Sequence, residues 1–193
     1  MGTSKALLPH RDPARTLVGY LVRAALTGGA TPVLVVGRPG DAELENEAIA
    51  GGGVFVTNDT PDRGQLSSVL AGLAIAAANP AVTGVMVTPV DVPLITPVTI
   101  ERLIAAAPVT AAVILRATFA GRHGHPVLFK RDVFDELRRA DPDVGAKSVV
   151  RIDPGRVLDI DVDDPGVAID VDTPEDYERV FGRPVGPVAT RRA

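Results

Sequence analysis

The stretch QLSSVLAGLAIAAANPAVTGVMVTPVDVPL, residues 65–94, decides the fold class of this chain. Its first part, residues 65–78, is rich in Ala and Leu and predicts a helix. The apolar run at residues 85–87 then predicts a short buried strand, and a loop follows in which two prolines flank Asp91. A helix that leads into a buried strand is the repeating unit of an α/β sheet.

The same alternation continues on both sides of this stretch. Further strands are predicted at residues 33–36, 54–56, 109–115, 127–129, 157–161 and 168–171. Because helices separate most of them, we expect parallel pairing through right-handed crossovers. The sequence therefore predicts an α/β fold with a mostly parallel sheet. We assign residues 1–182 to one domain and residues 183–193 to a loose tail.

The composition excludes several classes of protein. A net charge of −4 with interspersed acids and bases argues against a nucleic-acid partner. The absence of cysteine removes disulfides, thiolate metal sites and thiol nucleophiles, and it fits a cytoplasmic location. The longest apolar segment, residues 66–78, is too short to span a bilayer, so no membrane partner is expected.

Acidic side chains stand where strands are predicted to end. Asp91 lies in the stiff loop after one strand, and Asp170 and Asp172 share one face of an extended segment. Carboxylates at strand ends suit Mg²⁺, which requires oxygen ligands in a fixed geometry. The alternatives are a simple turn at Asp91 and an ordinary helix start after Asp172. The nearby acidic residues 159–164 are read as a solvated edge and turn.

Two loops could hold a nucleotide. Gly2 and Lys5 resemble the end of a phosphate-binding loop, in which glycine lets backbone N–H groups approach phosphate and lysine supplies charge. Asn58 ends a strand, and the segment from Gly64 and Gln65 to Ser67 and Ser68 opens a helix whose N-terminus could bind a base, ribose or phosphate. A surface loop and ordinary N-capping are the respective alternatives.

The segment at residues 121–126 combines Arg122, His123 and His125 with glycines. The two histidines lack a nearby third ligand, so a zinc site is rejected. Their cationic and hydrogen-bonding side chains could meet an anionic acceptor, and a plain Gly/Pro turn is the alternative.

The order of these motifs resembles the molybdenum-cofactor nucleotidyltransferase-like family, and within it the cytidylyltransferase branch. The resemblance runs through nearly the whole chain, and it rests on MGTSKALLP, QLSSVLAGL, PVDVPL, GHPV, GAK and DVDTPED. It implies a three-layer α/β sandwich with a mostly parallel sheet, a Rossmann-like fold of the nucleotide-diphospho-sugar transferase type. It also implies transfer of CMP from CTP to a molybdopterin-type cofactor with release of pyrophosphate, and a molybdoenzyme as an eventual partner.

The resemblance also assigns roles to residues. Gly2 and Lys5 would hold the triphosphate, Asn58 with residues 64–68 would contact the nucleotide, and Asp91 with Asp172 would bind Mg²⁺. His125 would lie near the acceptor. Two other functions stay open: a transferase of the same fold that uses another NTP and small phosphate, and a non-catalytic carrier of a nucleotide or cofactor.

The chain departs from the family at its start. The family opens with an apolar strand and a glycine-rich loop, and this sequence begins at the Met-Gly that ends that loop. We therefore expect that Met1 is not the natural start or that the chain has lost this first segment. We also expect a gap or a rearranged sheet beside the strand that leads to Asp91, because neighbouring strands would lose backbone partners.

Overall fold

The computed structural model describes residues 4–12 and 14–185. Within these ranges, short helices alternate with short strands along most of the chain. The α-helices are α1 (Leu17–Thr27), α2 (Ala42–Gly51), α3 (Gln65–Ala78), α4 (Pro97–Ala106), α5 (Phe134–Arg138), α6 (Lys147–Ile152) and α7 (Pro174–Phe181). The strands are β1 (Leu34–Gly37), β2 (Val54–Thr57), β3 (Gly84–Val87), β4 (Ile114–Phe119), β5 (Arg122–Lys130) and β6 (Val157–Asp161).

The four-stranded sheet has two faces, and helices cover both. On one face Ile114 and Phe129 pack in a core cluster with Leu73 of α3 and Leu137 of α5. The next residues along the strands point the other way, and the cluster on that side includes Leu103 of α4. The three-layer α/β fold predicted from the sequence is therefore confirmed. No helix in the described part of the chain is long and apolar enough to cross a membrane.

The sheet contains more antiparallel pairing than the sequence predicted. β1 pairs with β2 and β4 with β6 in parallel, whereas β5 runs antiparallel to both β3 and β4. The cause is a tight turn between β4 and β5, where Ala120 and Gly121 adopt φ values of 48° and 75°. Two successive residues with positive φ reverse the chain into a hairpin, so no crossover helix is needed.

Three predicted boundaries were wrong in detail. The strand expected at 109–115 begins instead at Ile114, because Ala107–Val109 forms a 3₁₀ turn that contains Pro108. The strand expected at 127–129 begins earlier, as β5 starts at Arg122 and includes most of the segment 121–126. The strand expected at 168–171 is replaced by a 3₁₀ turn, Pro165–Ala168, and an extended segment without a ladder.

The strands fall into two separate sheets, one of order β1-β2 and one of order β3-β5-β4-β6. β3 is thus an edge strand of its sheet within the described residues, although it leads to the Asp91 loop. The sequence predicted a gap beside this strand, and among the described residues only β5 pairs with β3. Helix α3 contacts β1, β2 and β3, so it bridges the two sheets on one side.

Candidate active site

The candidate site lies at one edge of the four-stranded sheet. Strands β3, β4 and β6 run in the same direction, since β5 is antiparallel to β3 and β4 and β6 is parallel to β4. Their carboxyl ends and the start of β5 therefore meet at this edge. In α/β sheets ligands bind beyond the carboxyl ends of strands, and the segments that carry Asp91, His125 and Asp172 all reach this edge.

Asp91 is half-buried in the loop after β3. Its Oδ1 atom is buried and has no hydrogen-bond partner among the described residues. Burial raises the pKa of this carboxyl, Lys5 opposes that rise, and Asp172 and Asp170 add to it. A buried carboxylate oxygen without a donor, surrounded by other acids, is an arrangement that a bound cation would stabilise.

Lys5 and Asp172 form an ion pair, with Nζ and Oδ1 3.0 Å apart. The lysine side chain is 23% exposed and the aspartate 65%, so the pair lies at the surface of the site rather than inside the core. Lys5 belongs to a 3₁₀ turn, Lys5–Leu7, at the start of the described chain. The structure thus brings together two of the three predicted catalytic side chains, and both interact electrostatically with Asp91.

The donor set for a metal is small. The described residues contain no group of three or more His, Asp and Glu side chains placed to hold a metal ion. Asp91 and Asp172 could supply two oxygen ligands, which fits Mg²⁺ because this ion keeps several waters and takes further oxygens from a substrate phosphate. The Lys5 ammonium now occupies the place beside Asp172, so a metal and Lys5 would share this carboxylate.

Asn58 organises the start of helix α3. It is buried, and its side-chain Nδ2 donates to the hydroxyl oxygens of Ser67 at 2.8 Å and Ser68 at 3.1 Å. Its Oδ1 accepts from the backbone N–H of Thr60. Both amide hydrogens are therefore used within the protein, and Asn58 fixes the hydroxyl groups of Ser67 and Ser68 at the start of α3.

The N-terminus of α3 is open. Gly64 precedes it with φ at 80°, and a Cβ there would meet nothing within 4 Å. No side chain caps this helix end within the described part of the chain. Its first N–H groups, which begin at Gln65, are thus available to an anion, and the helix dipole favours negative charge there. Gly2, the other predicted nucleotide contact, lies outside the described residues.

His125 lies on β5, half-buried, close to the acidic edge. Burial lowers its pKa, while a backbone hydrogen bond at Val87 and the charges of Asp91 and Asp170 oppose that change. Its Nδ1 atom is buried without a partner among the described residues. The preceding Gly124 is required for packing, because a Cβ there would lie 2.0 Å from the carbonyl oxygen of Val167.

An open cavity of about 570 Å³ adjoins the ion pair. Asp172 and Asp170 lie on its wall together with three arginines, Arg11, Arg122 and Arg179. Sequence reasoning singled out Arg122 but missed the other two. Arg11 lies in an exposed stretch without a motif, and Arg179 is an exposed residue of helix α7, so only the fold places them beside the acidic cluster.

The acidic run at residues 159–164 is not all solvated, which corrects the prediction for Asp164. This residue is 6% exposed, and its Oδ2 accepts hydrogen bonds from the Thr96 backbone N–H, the Thr96 hydroxyl and the Thr99 hydroxyl. Its Oδ1 accepts from the Gly166 backbone N–H. Asp164 therefore caps the N-terminus of α4 from a distant part of the chain.

Known proteins give the context for this geometry. Residues 1–159 match the family described as the MobA-like NTP transferase domain. No curated protein matches the chain significantly. Among solved structures, Rv0371c from Mycobacterium tuberculosis H37Rv is 31% identical, with 95% of this chain and 91% of that chain covered and a TM-score of 0.79. The same protein in complex with manganese is 30% identical, with 92% and 91% covered and a TM-score of 0.74.

More distant structures share the fold. A cytidylyltransferase from Leptospira borgpetersenii is 18% identical, with 94% of this chain and 81% of that chain covered and a TM-score of 0.70. Molybdopterin-guanine dinucleotide biosynthesis protein A from Archaeoglobus fulgidus is 17% identical, with 94% and 90% covered and a TM-score of 0.63. The chain therefore belongs to the MobA-like NTP transferase family of nucleotidyltransferases.

Proposed function

We propose that this protein transfers CMP from CTP to a phosphorylated acceptor of the molybdopterin type and releases pyrophosphate, with Mg²⁺ as its cofactor. The observation that carries the proposal is the Lys5–Asp172 ion pair beside the half-buried Asp91. A lysine next to two carboxylates at the strand ends can hold both a metal and a triphosphate. A protein that only carried a nucleotide would not need this combination.

The nucleotide is proposed to lie at the open start of α3. Ser67 and Ser68 present hydroxyl groups there, and Asn58 holds them in place. Gly64 leaves room for close approach, as no atom lies within 4 Å of the position of a Cβ. From this position the triphosphate would extend toward Lys5, whose ammonium group would bind phosphate oxygens.

The acceptor is proposed to enter the cavity beside Asp172. Arg122 and Arg179 on its wall would attract a phosphate, and His125 borders the same edge of the sheet. In the reaction an acceptor phosphate oxygen attacks the α-phosphorus of CTP, and the bond from that phosphorus to the bridging oxygen of pyrophosphate breaks. Lys5 would stabilise negative charge on the departing pyrophosphate.

The residues present fit a divalent cation at Asp91 and Asp172. When bound, Mg²⁺ would neutralise charge on the transferring phosphoryl group. The manganese complex of the M. tuberculosis relative supports a divalent cation in this family. Mg²⁺ and Mn²⁺ favour the same hard oxygen ligands, so both ions should support activity.

The test is an assay of pyrophosphate release with CTP, GTP, ATP and UTP, each combined with molybdopterin cofactor or with simple sugar phosphates. We expect the fastest release with CTP and the molybdopterin cofactor. The Asp91→Asn variant serves as the inactive control, and Asp163→Ala serves as the surface control. A preference for another NTP or acceptor would support the alternative transferase. Nucleotide binding without pyrophosphate release from any pair would support a non-catalytic carrier.

A further inference from the structure

The segment that carries Lys5 is tied to the C-terminal helix α7 at two separate points. At one point Asp172, just before the helix, pairs with Lys5. At the other, the Tyr177 hydroxyl donates a hydrogen bond to the Pro9 carbonyl oxygen at 2.6 Å. Tyr177 is 1% exposed, so this hydrogen bond is anchored in the core.

A second residue reinforces the attachment at Pro9. Arg183, which the sequence assigned to the loose tail, donates from its guanidinium group to the carbonyl oxygen of His10. The His10 ring stacks on Tyr20 of α1 with centroids 3.8 Å apart and meets the edge of Phe181 of α7 at 5.5 Å. Tyr20 of α1 and Phe181 of α7 therefore enclose the His10 ring from two sides.

The backbone between these attachments is short and hydrogen-bonded. Leu8 donates its N–H to the Lys5 carbonyl at 3.1 Å, and Leu17 donates to the Leu8 carbonyl at 2.8 Å. Pro9 forms a β-bridge with Thr16. A shift of Pro9 therefore moves the turn that carries Lys5, because no flexible linker separates them.

We propose that Tyr177 and Arg183 are positioning residues that hold the Lys5 turn in place for the triphosphate. This inference rests on the proposed function, since it assigns Lys5 to phosphate binding. Lysine has a flexible side chain, so its placement depends on a fixed backbone and on the Asp172 ion pair. Tyr177 and Arg183 both lie beyond position 159, outside the part of the chain that matches the family domain.

The test compares Tyr177→Phe with Thr99→Val. Each variant removes one hydroxyl that donates a hydrogen bond, to Pro9 in the first case and to Asp164 in the second. Thr99 lies in α4 and takes no part in the proposed site. We expect Tyr177→Phe to raise the Kd for CTP with Mg²⁺ by about three- to tenfold, which is the range of one lost hydrogen bond. Thr99→Val should leave this Kd within about twofold.

A double variant separates positioning from general destabilisation. If Tyr177 acts through Lys5, Tyr177→Phe should cause no further loss of CTP affinity in a Lys5→Met background. Arg183→Gln should repeat the effect of Tyr177→Phe. Equal effects of Tyr177→Phe and Thr99→Val, or a full additional loss in the Lys5→Met background, would overturn the inference.

Hydrogen exchange distinguishes this inference from the proposed function. The Leu7 and Leu8 amides are hydrogen-bonded within the Lys5 turn, and they should exchange faster in Tyr177→Phe than in Thr99→Val. If the wild-type protein binds no NTP but the two variants differ in exchange, the proposed function is refuted, and the role of Tyr177 in holding the Lys5 turn stands. If the wild-type protein binds CTP but the two variants exchange at the same rate, only the role of Tyr177 in holding the Lys5 turn is refuted.

Discussion

The backbone N–H of Val171 donates a hydrogen bond to the carbonyl oxygen of Asp91 at 2.8 Å. This bond joins the loop after β3 to the segment after β6, although the two are far apart in sequence. Because Asp172 follows Val171 directly, the bond fixes the backbone of both predicted metal ligands relative to one another. A shared cation site at Asp91 and Asp172 therefore does not depend on two independently mobile loops.

Replacing Asp91 by Asn should abolish activity without harming the fold. The change removes the charge that a metal needs and keeps the shape of the side chain. We expect turnover in Mg²⁺ to fall by at least about 100-fold. The thermal midpoint should stay equal or rise, because burial already disfavours the charged carboxylate and raises its pKa. Near-normal turnover of the variant would rule out the proposed metal site.

His125→Ala should impair the use of the acceptor more than the binding of nucleotide. His125 lies at the start of β5, on the same edge as the cavity, and its buried Nδ1 has no partner among the described residues. We expect the KM for the acceptor to rise about tenfold and the Kd for CTP to change by less than about twofold.

The matched control for that experiment is His123→Ala. His123 lies on the same strand and belongs to the predicted acceptor loop, but it is exposed and its Nε2 lies 3.3 Å from Asp159, which gives it a partner within the protein. This variant should leave both constants nearly unchanged. If His125→Ala weakens CTP and acceptor binding equally, or prevents folding, a structural role for His125 is the better explanation.

Asp164→Ala should destabilise the protein although Asp164 is remote from catalysis. The change removes the acceptor for Thr96 and Thr99 at the start of α4 and for Gly166. We expect the free energy of unfolding to fall by about 2–4 kcal/mol, measured by urea denaturation. Asp163, the exposed neighbour, provides the control: Asp163→Ala should change the free energy of unfolding by less than about 0.5 kcal/mol. Equal effects of the two would show that the capping contacts contribute little.

Stability should fall as pH drops from neutral toward 4. Burial lowers the pKa of His10 from 6.5 to about 4, and Arg11 adds to the effect. Because the pKa of His10 is lower in the folded state, the unfolded chain binds more protons between pH 4 and 6.5. The contribution of His10 to stability is therefore complete above pH 6.5 and is lost as the pH falls toward 4. His125 contributes in the same direction, since its pKa is also lowered. Asp91 acts in the opposite direction, because burial raises its pKa and the folded chain then binds the extra proton.

The contribution of His10 can be isolated with His10→Phe. Phenylalanine keeps a ring between Tyr20 and Phe181 but does not titrate. The slope of unfolding free energy against pH should decrease by up to about 1.4 kcal/mol per pH unit between pH 4.5 and 6.5. Asp176 titrates outside this pH range, because its hydrogen bonds lower its pKa from 3.8 to about 2. An unchanged slope would mean that His10 titrates normally in the folded protein.

The sequence predicted the elements that depend on local patterns. The apolar run before Asp91 and the Ala-rich stretch before it appear as β3 and α3, since periodicity and turn residues act within a few positions. Local context, namely glycines, prolines and acids next to predicted strand ends, singled out Lys5, Asp91 and the pair Asp170 and Asp172. The family resemblance then selected Asp172. The α/β class followed from the alternation of helix and strand, and the family resemblance added the three-layer arrangement.

The tertiary structure alone decided which distant groups meet. Three features join residues that are far apart in the chain. Strand β5 runs antiparallel to its neighbours, Asp164 is buried at the start of α4, and Tyr177 holds the Lys5 segment. A local pattern cannot specify such contacts, because an exposed aspartate and a buried capping aspartate have the same neighbours in sequence. The sequence by itself determined the α/β class and the candidate residues. Long-range packing determined which of them form one site, because burial and hydrogen-bond partners exist only once the layers have come together.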